Sequence, residues 1–294
     1  MNKIDKIFFS FFLKKGKIEL IKNNLIYRLF LKIFRPFLKG PFLIKIDGFQ
    51  LLSFPQKDQP TYGVLKRLKF HETSEIKYLK KIIRNNDVIF IDAGSNYGHY
   101  SLLVAKENYK NKIFAFEPSS IIRKQFMENI KINNFSNINL ESYAVTNTSG
   151  LINFYETEKS WENSILYEHL SNAKKTVVKS TSLDEYFNNF NFLEKKIIIK
   201  FDIEGSEINA FYGTKNIIKK YNPTIFFEFS KMFIKNSLFS ENEFNSFLNE
   251  HNYSIYDLNL KKKKISELVY EVSKLKKNQQ TIGNFLLMNL NINH

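Results

Sequence analysis

From residue 88 onward, short apolar runs alternate with amphipathic helical patterns. This alternation constrains the fold more than any other feature of the chain. Residues 88–92, 112–116, 138–145, 197–202 and 224–229 read as strands, and residues 100–106, 121–132, 206–212 and 215–220 as helices between them. Strands this apolar are buried on both faces, which indicates a mostly parallel sheet covered by helices. Right-handed crossovers then give a doubly wound α/β, Rossmann-like fold. Upstream, residues 72–84 read as a helix with Ile76, Leu79, Ile82 and Ile83 on one face, and residues 42–54 as a strand pair turning at Asp47-Gly48.

Two stretches break the alternation. Residues 151–155 and 176–181 read as two added strands around a loop that holds Trp161, Asn163 and Ser164. That loop is the expected lid that selects a substrate, and the Trp161 ring suits stacking on a sugar face, with an ordinary core role as the alternative. Near the end, strands at 253–257 and 281–288 flank a lysine-rich stretch at 261–277. The stretch is too charged for core and is expected to be a solvated helix between antiparallel strands at the sheet edge. The expected division is a basic extension over residues 1–60 and one catalytic domain over 61–294.

The chain has 294 residues, no Cys and a formal charge of +15. Lack of Cys excludes disulfides, thiolate metal sites and Cys nucleophiles. The charge suits anionic partners, although it also fits a lysine-rich composition bias. It is uneven: residues 1–40 carry ten basic and two acidic side chains. Leu25, Ile26, Leu29, Phe30, Ile33 and Phe34 fall at helical spacing among these bases, as in a helix lying on anionic lipid. A helix docked on the catalytic domain is the alternative. The apolar run at 7–13 is too short to span a bilayer, and no small-residue cleavage site follows it. The expected location is the cytoplasm, with peripheral contact at the inner membrane face.

The first core strand ends in Asp92-Ala93-Gly94-Ser95-Asn96-Tyr97-Gly98. A glycine turn between strand and helix lets a ligand approach the backbone, and a plain tight turn is the alternative. Asp92 would repel a pyrophosphate at the helix N-terminus but attract the ammonium and sulfonium of S-adenosylmethionine (SAM). No Walker A lysine follows. Glu117, closing the second strand, suits the ribose hydroxyls of SAM or of a nicotinamide dinucleotide. Ser142 and Tyr143 fall where an adenine would lie.

The segment Lys200-Phe201-Asp202-Ile203-Glu204-Gly205-Ser206-Glu207 crosses from strand to helix, with Glu228 on the next strand. Acids this close repel unless a cation, a proton or an acceptor hydroxyl intervenes. The alternatives are helix capping and a Lys200 ion pair.

These pieces carry a resemblance. Together NDVIFIDAGSNYGHYSLLVA, KIFAFEPSS, SYAV, TSLDEYF, IIIKFDIEGSEINAFYG and NPTIFFEFS are similar, in order, to the FkbM-type SAM-dependent methyltransferases. Ser95 stands where that family usually has Ala. The resemblance implies SAM binding at Asp92, Gly94, Asn96, Gly98 and Glu117, with Ser95 in the same loop. It also implies methylation of a hydroxyl oxygen on a sugar, glycan, glycolipid or related metabolite. Asp202 is the expected base, with Glu204 as second base or acceptor positioner. His99 is a further base candidate against a surface or capping role. Mg²⁺ at the acids stays an open alternative, not an expectation. The rival functions are a nicotinamide-dependent oxidoreductase and a non-catalytic membrane- or glycan-binding module. Nucleic acid is not expected as a substrate, because acids at the acceptor would repel phosphates.

Overall fold

The spine of the molecule is an eight-stranded sheet. In the computed structural model, residues 25–55, 59–67, 73–84, 86–157, 163–166, 173–192, 195–277 and 279–289 are described. The first elements are helix α1 (Leu25–Phe34), hairpin β1 (Phe42–Ile46) and β2 (Phe49–Ser53), and helices α2 (Gln59–Arg67) and α3 (Thr73–Ile83). The core then runs β3 (Val88–Ala93), α4 (His99–Glu107), β4 (Lys112–Phe116), α5 (Ser120–Asn133) and β5 (Ile138–Glu141). After an excursion through β6 (Tyr143–Val145), β7 (Gly150–Glu156), β8 (Lys174–Thr181) and α6 (Leu183–Tyr186), the chain re-enters the sheet at β9 (Lys196–Phe201). Helices α7 (Glu207–Tyr212) and α8 (Lys215–Tyr221) lead to β10 (Thr224–Ser230), followed by α9 (Lys231–Lys235) and α10 (Glu241–Glu250). The last elements are β11 (Ser254–Tyr256), β12 (Lys262–Lys263), α11 (Ile265–Ser273) and β13 (Thr281–Met288).

The strand order is β12-β11-β13-β10-β9-β3-β4-β5. The pairs from β10 through β5 are parallel, while β13 pairs antiparallel with both β10 and β11. The chain leaves β3 toward β4 and β5, then returns on the other side at β9. The topological switch therefore lies between β3 and β9, where ligands bind beyond the strands' carboxyl ends. This is a doubly wound α/β architecture, mostly parallel with an antiparallel strand near one edge.

Alternation along each strand builds two apolar layers. Val88 and Phe90 join Leu103, Phe126 and Ile198 on one face; Ile89 and Ile91 join Phe116, Ile199, Phe211 and Phe227 on the other. The N-terminal elements belong to the first layer, with Tyr27, Leu31, Phe42, Ile44 and Leu51 buried in it. Side-chain amides on α5 tie the hairpin down: Gln50 N donates to Asn133 Oδ1 at 2.7 Å and Leu52 N to Asn129 Oδ1 at 2.9 Å.

Three details differ from the sequence reading. The stretch 138–145 is two strands, not one: β5 pairs with β4, while β6 leaves to pair with β8 in a three-stranded sheet, β6-β8-β7. The central edge stops at Glu141, whose carbonyl accepts from Glu117 N, and the chain then turns to follow β8. The lysine-rich stretch is only partly solvated, since α11 buries Ile265, Leu268 and Val272 at helical spacing. Helices α2, α6, α9 and α10 are additions. The loop position of Trp161 lies outside the described residues, as does the apolar run at 7–13.

Candidate active site

The crevice is built by three strand ends. Gly94 follows β3 at φ +80°, and a Cβ placed there would lie 1.9 Å from the carbonyl oxygen of Asp202. Only glycine lets the first loop pass this close to the β9 segment. The loop is pinned to the neighbouring strand: Gly94 N and Ser95 N both donate to Phe116 O, at the end of β4, at 3.0 Å.

Glu117 then shapes one end of the crevice. Its carboxylate accepts from Asn96 N at 2.9 Å and from Ser119 N at 2.9 Å. Burial pushes this carboxyl up to about 7 against those backbone donors. A carboxylate offers about four lone-pair positions, so two remain for ligand hydroxyls.

A cavity with about 640 Å³ of empty space opens here, lined among others by Gly94, Asn96, Glu117, Tyr143, Asp202 and Glu204. Of the sequence candidates, these six border one space. Asp92, Ser95, Gly98 and Ser142 do not line it. Asp92 is buried, with Ser101 Oγ donating to its Oδ2 at 2.6 Å, and it faces Lys200 in the strand register. Burial pushes Asp92 up to about 6, against the pull of Lys200. Gly98 serves packing, since a Cβ there would enter the Phe126 ring.

His99 is not the surface residue weighed above. It is buried, its ring between those of Tyr97 and Tyr100, and it is outside the cavity lining. Burial and the nearby Lys200 charge hold its pKa well below the usual range.

The far end of the crevice is acidic. Asp202 N donates to Ala93 O at 3.0 Å, which joins the strand ends. Lys200 is 2% exposed, and its ammonium lies 2.5 Å from Asp202 Oδ2 and 4.4 Å above the Tyr100 ring. The loop after Asp202 is held from three sides. Glu207 Oε1 accepts from Ile203 N at 3.0 Å, Ser164 Oγ donates to Glu204 O at 2.9 Å, and Asn236 Nδ2 donates to Gly205 O at 2.9 Å. Glu204 has φ 54°, the left-handed region, an uncommon conformation for a non-glycine residue. Burial raises the pKa of Glu204, and Glu228, Asp202 and Glu207 add to the rise. Burial, with Asp202 and Glu207, likewise pushes Glu228 up to about 8.

Sequence reasoning missed the buried support beneath these acids. Tyr100 Oη donates to Glu75 Oε2 at 2.8 Å, and Asn284 Nδ2 donates to the same oxygen at 2.5 Å. Asn284 stands opposite Glu228 in the β10–β13 register. A polar residue at an inward position of an apolar strand was the available signal.

The donor set fits SAM. The bare backbone at Gly94 permits close approach, Glu117 retains acceptor capacity, Tyr143 offers a ring, and the acids offer negative charge opposite a sulfonium.

Comparisons with known proteins agree with this geometry. The model of the methyltransferase FkbM domain matches residues 92–255, just over half the chain. "Methyltransferase 1" of Beauveria bassiana (strain ARSEF 2860) is 24% identical over 148 residues, which are 44% of this chain and 59% of that protein. A crystal structure of a methyltransferase FkbM from Methylobacillus flagellatus KT aligns at TM-score 0.44 and 14% identity, covering 74% of this chain and 48% of that one. A Streptococcus mutans protein in complex with SAH aligns at TM-score 0.42 and 10% identity, covering 73% and 94%. The chain thus spans about half the length of the first two. With the family model covering the glycine loop, Glu117, the Asp202–Glu207 segment and β10 in one continuous match, the chain belongs to the FkbM methyltransferase domain family.

Proposed function

We propose that the protein transfers the methyl group of SAM to a hydroxyl oxygen of a sugar, glycan, glycolipid or related metabolite. One observation supports this reading above the others. Glu117 and Tyr143, suited to a nucleoside, share a single cavity with Asp202 and Glu204, suited to a hydroxyl acceptor.

SAM supplies a methyl group on a positively charged sulfur that departs as a neutral thioether. The protein's work is alignment and proton removal. Gly94 and Asn96 set the position of the cofactor against the strand ends, and orientation of this kind is worth ~7–11 kcal/mol. As the acceptor oxygen bonds to the methyl carbon, its proton passes to the Asp202 carboxylate. Lys200 pairs with Asp202 Oδ2 and leaves Oδ1 for the acceptor. Glu204 positions the acceptor. Asp202→Asn is expected to bind SAM in calorimetry and to lose turnover. Retained turnover removes Asp202 from the base role. Mass spectrometry of candidate glycans and glycolipids for the gain of one CH₂ identifies the acceptor.

We also propose that the extension over residues 1–60 brings the catalytic domain to an anionic lipid surface. Helix α1 buries Tyr27 and Leu31 but exposes Leu29 and Ile33 on the opposite side, beside exposed Arg28 and Lys32. Between Leu25 and Ile46 there are five basic residues and no acid. Apolar side chains set among unopposed bases suit an anionic interface. The double variant Leu29→Glu/Ile33→Glu should lose flotation with phosphatidylglycerol vesicles while keeping SAM affinity. Unchanged flotation, or equal flotation with neutral vesicles, overturns the lipid reading. Among the described residues no helix is long and apolar enough to cross a membrane.

A further inference from the structure

Asp202, Glu204 and Glu228 converge from two strand ends, each offering a carboxylate oxygen within 4.8 Å of the other two. The first two follow the end of β9 by one and three residues; the third comes from inside β10, whose neighbouring side chains are buried and apolar. Glu207, wholly buried at the start of α7, adds a fourth carboxylate to the same neighbourhood. The ammonium of Lys200 is ion-paired to Asp202 of this group. Four acids beside one base form an uncompensated cluster, which a fold does not retain for stability.

A second observation is independent of charge. Ser206 lines the same cavity as Asp202 and Glu204, is 2% exposed, and its hydroxyl makes no hydrogen bond. Although Ser206 precedes helix α7, its side chain does not cap that helix. Oε2 of Glu207 is also buried without a partner. Buried polar groups are nearly always satisfied, so an orphaned hydroxyl at a cavity wall marks the place of a ligand or its bound water.

We propose that Asp202, Glu204 and Glu228 hold a hard divalent cation, Mg²⁺ or Mn²⁺, at the acceptor end of the crevice. The donor chemistry selects the ion. All three ligands are carboxylate oxygens, the chain has no Cys, and among the described residues no His lines the cavity. Oxygen-only sites favour Mg²⁺, Mn²⁺ or Ca²⁺ over the softer metals. Three carboxylates fill part of a six-oxygen shell and leave positions for water or substrate oxygens, and Ser206 lines the same cavity. Cation binding itself does not depend on the methyl-transfer reading. Its use does: the ion would bind an acceptor carrying two adjacent oxygens, such as a vicinal diol of a sugar ring, and polarise the hydroxyl that loses its proton to Asp202.

The test is a titration of the full-length chain with MnCl₂, followed by electron paramagnetic resonance of the free ion. One saturable site is expected, with affinity falling about tenfold or more in Glu228→Gln. Glu271→Gln, at a surface carboxylate paired with Lys263, should bind Mn²⁺ like the intact chain. SAM calorimetry on each variant verifies that it is folded, and Asp202→Asn serves as the second ligand variant if Glu228→Gln fails that control. Absence of a saturable site in the intact chain overturns the proposal, as does undiminished Mn²⁺ affinity in the folded ligand variant. SAM binding and glycan methylation without any Mn²⁺ site would sink the cation and spare the methyl-transfer reading. A Mn²⁺ site in a chain that does not bind SAM would do the reverse.

Discussion

The crevice and the N-terminal face are opposites in charge and in exposure. At the ends of β3, β9 and β10, carboxylates are buried or half-buried, and one of them pairs with the buried Lys200. Along α1 and β1, lysines and arginines stand in solvent with no acid between Leu25 and Ile46. Exposed bases cost little where water screens them. Withdrawn acids carry a desolvation cost, and the fold must answer it with protons, hydrogen bonds or a counter-ion. The difference separates a surface that attracts by long-range charge from a site that does chemistry by short-range placement.

The contrast can be broken most sharply at the acids. Asp202→Asn keeps the shape of the crevice but removes its proton acceptor, so turnover should fall ~10²–10⁴-fold at unchanged SAM affinity. Steady-state rates alongside calorimetry check this, and a small loss would reduce the crevice to a binding surface.

Next come the two sides of one N-terminal helix. Leu31 is fully buried and Leu29 is 55% exposed. Leu31→Ala should destabilise by about 2–5 kcal/mol in denaturant titration. Leu29→Ala should stay within about 0.5 kcal/mol of the parent. Equal effects would mean that the outer face is packed against something.

Gly94→Ala is expected to cost ~1–3 kcal/mol from the positive φ alone. SAM binding should vanish with it, because the Asp202 carbonyl must move. Retained SAM affinity in a folded variant would show that the loop can part from β9.

The smallest effect is a pH trend. Burial holds Glu117 at about 7 against an ordinary value of 4.5. The folded chain therefore keeps a proton that the unfolded chain releases. Stability is fully present below about 4.5 and declines as pH rises toward about 7. The thermal midpoint of the ligand-free protein should drop across that window, and drop less in Glu117→Gln. A flat midpoint in the parent would mean that the backbone donors on Glu117 outweigh its burial.

Legibility differed between these regions for a physical reason. The strands at 88–92, 112–116 and 197–202 announce themselves because each is apolar on both faces and bounded by a turn or an acid. The hairpin at 42–54 is readable because its alternation matches one buried face: in β1, Phe42, Ile44 and Ile46 are buried while Leu43 and Lys45 are exposed. The split at Ser142 was not readable, since a half-exposed edge strand and the strand that leaves it have the same local pattern. Nor was the docking of α11, where lysines on the outer side mask three buried positions.

Within the site, motif spacing located Gly94, Asn96, Glu117, Tyr143, Asp202 and Glu204, and these border one cavity. It placed Asp92 on the ligand as well, whereas the folded chain turns that carboxylate toward Ser101. It weighed His99 as a base against a surface or capping role, whereas the ring is buried, and it gave no sign that Glu75, Tyr100 and Asn284 meet.

Local periodicity and turn chemistry were enough to determine the layer architecture, the switch-point crevice and the segments that enter it, because each depends on residues a few positions apart. Which side chains face the cavity, and which acids lose their water, was decided only when strands more than twenty residues apart in sequence came into register. Burial and mutual distance set the charge state of a carboxylate, and neither quantity exists until the chain has folded.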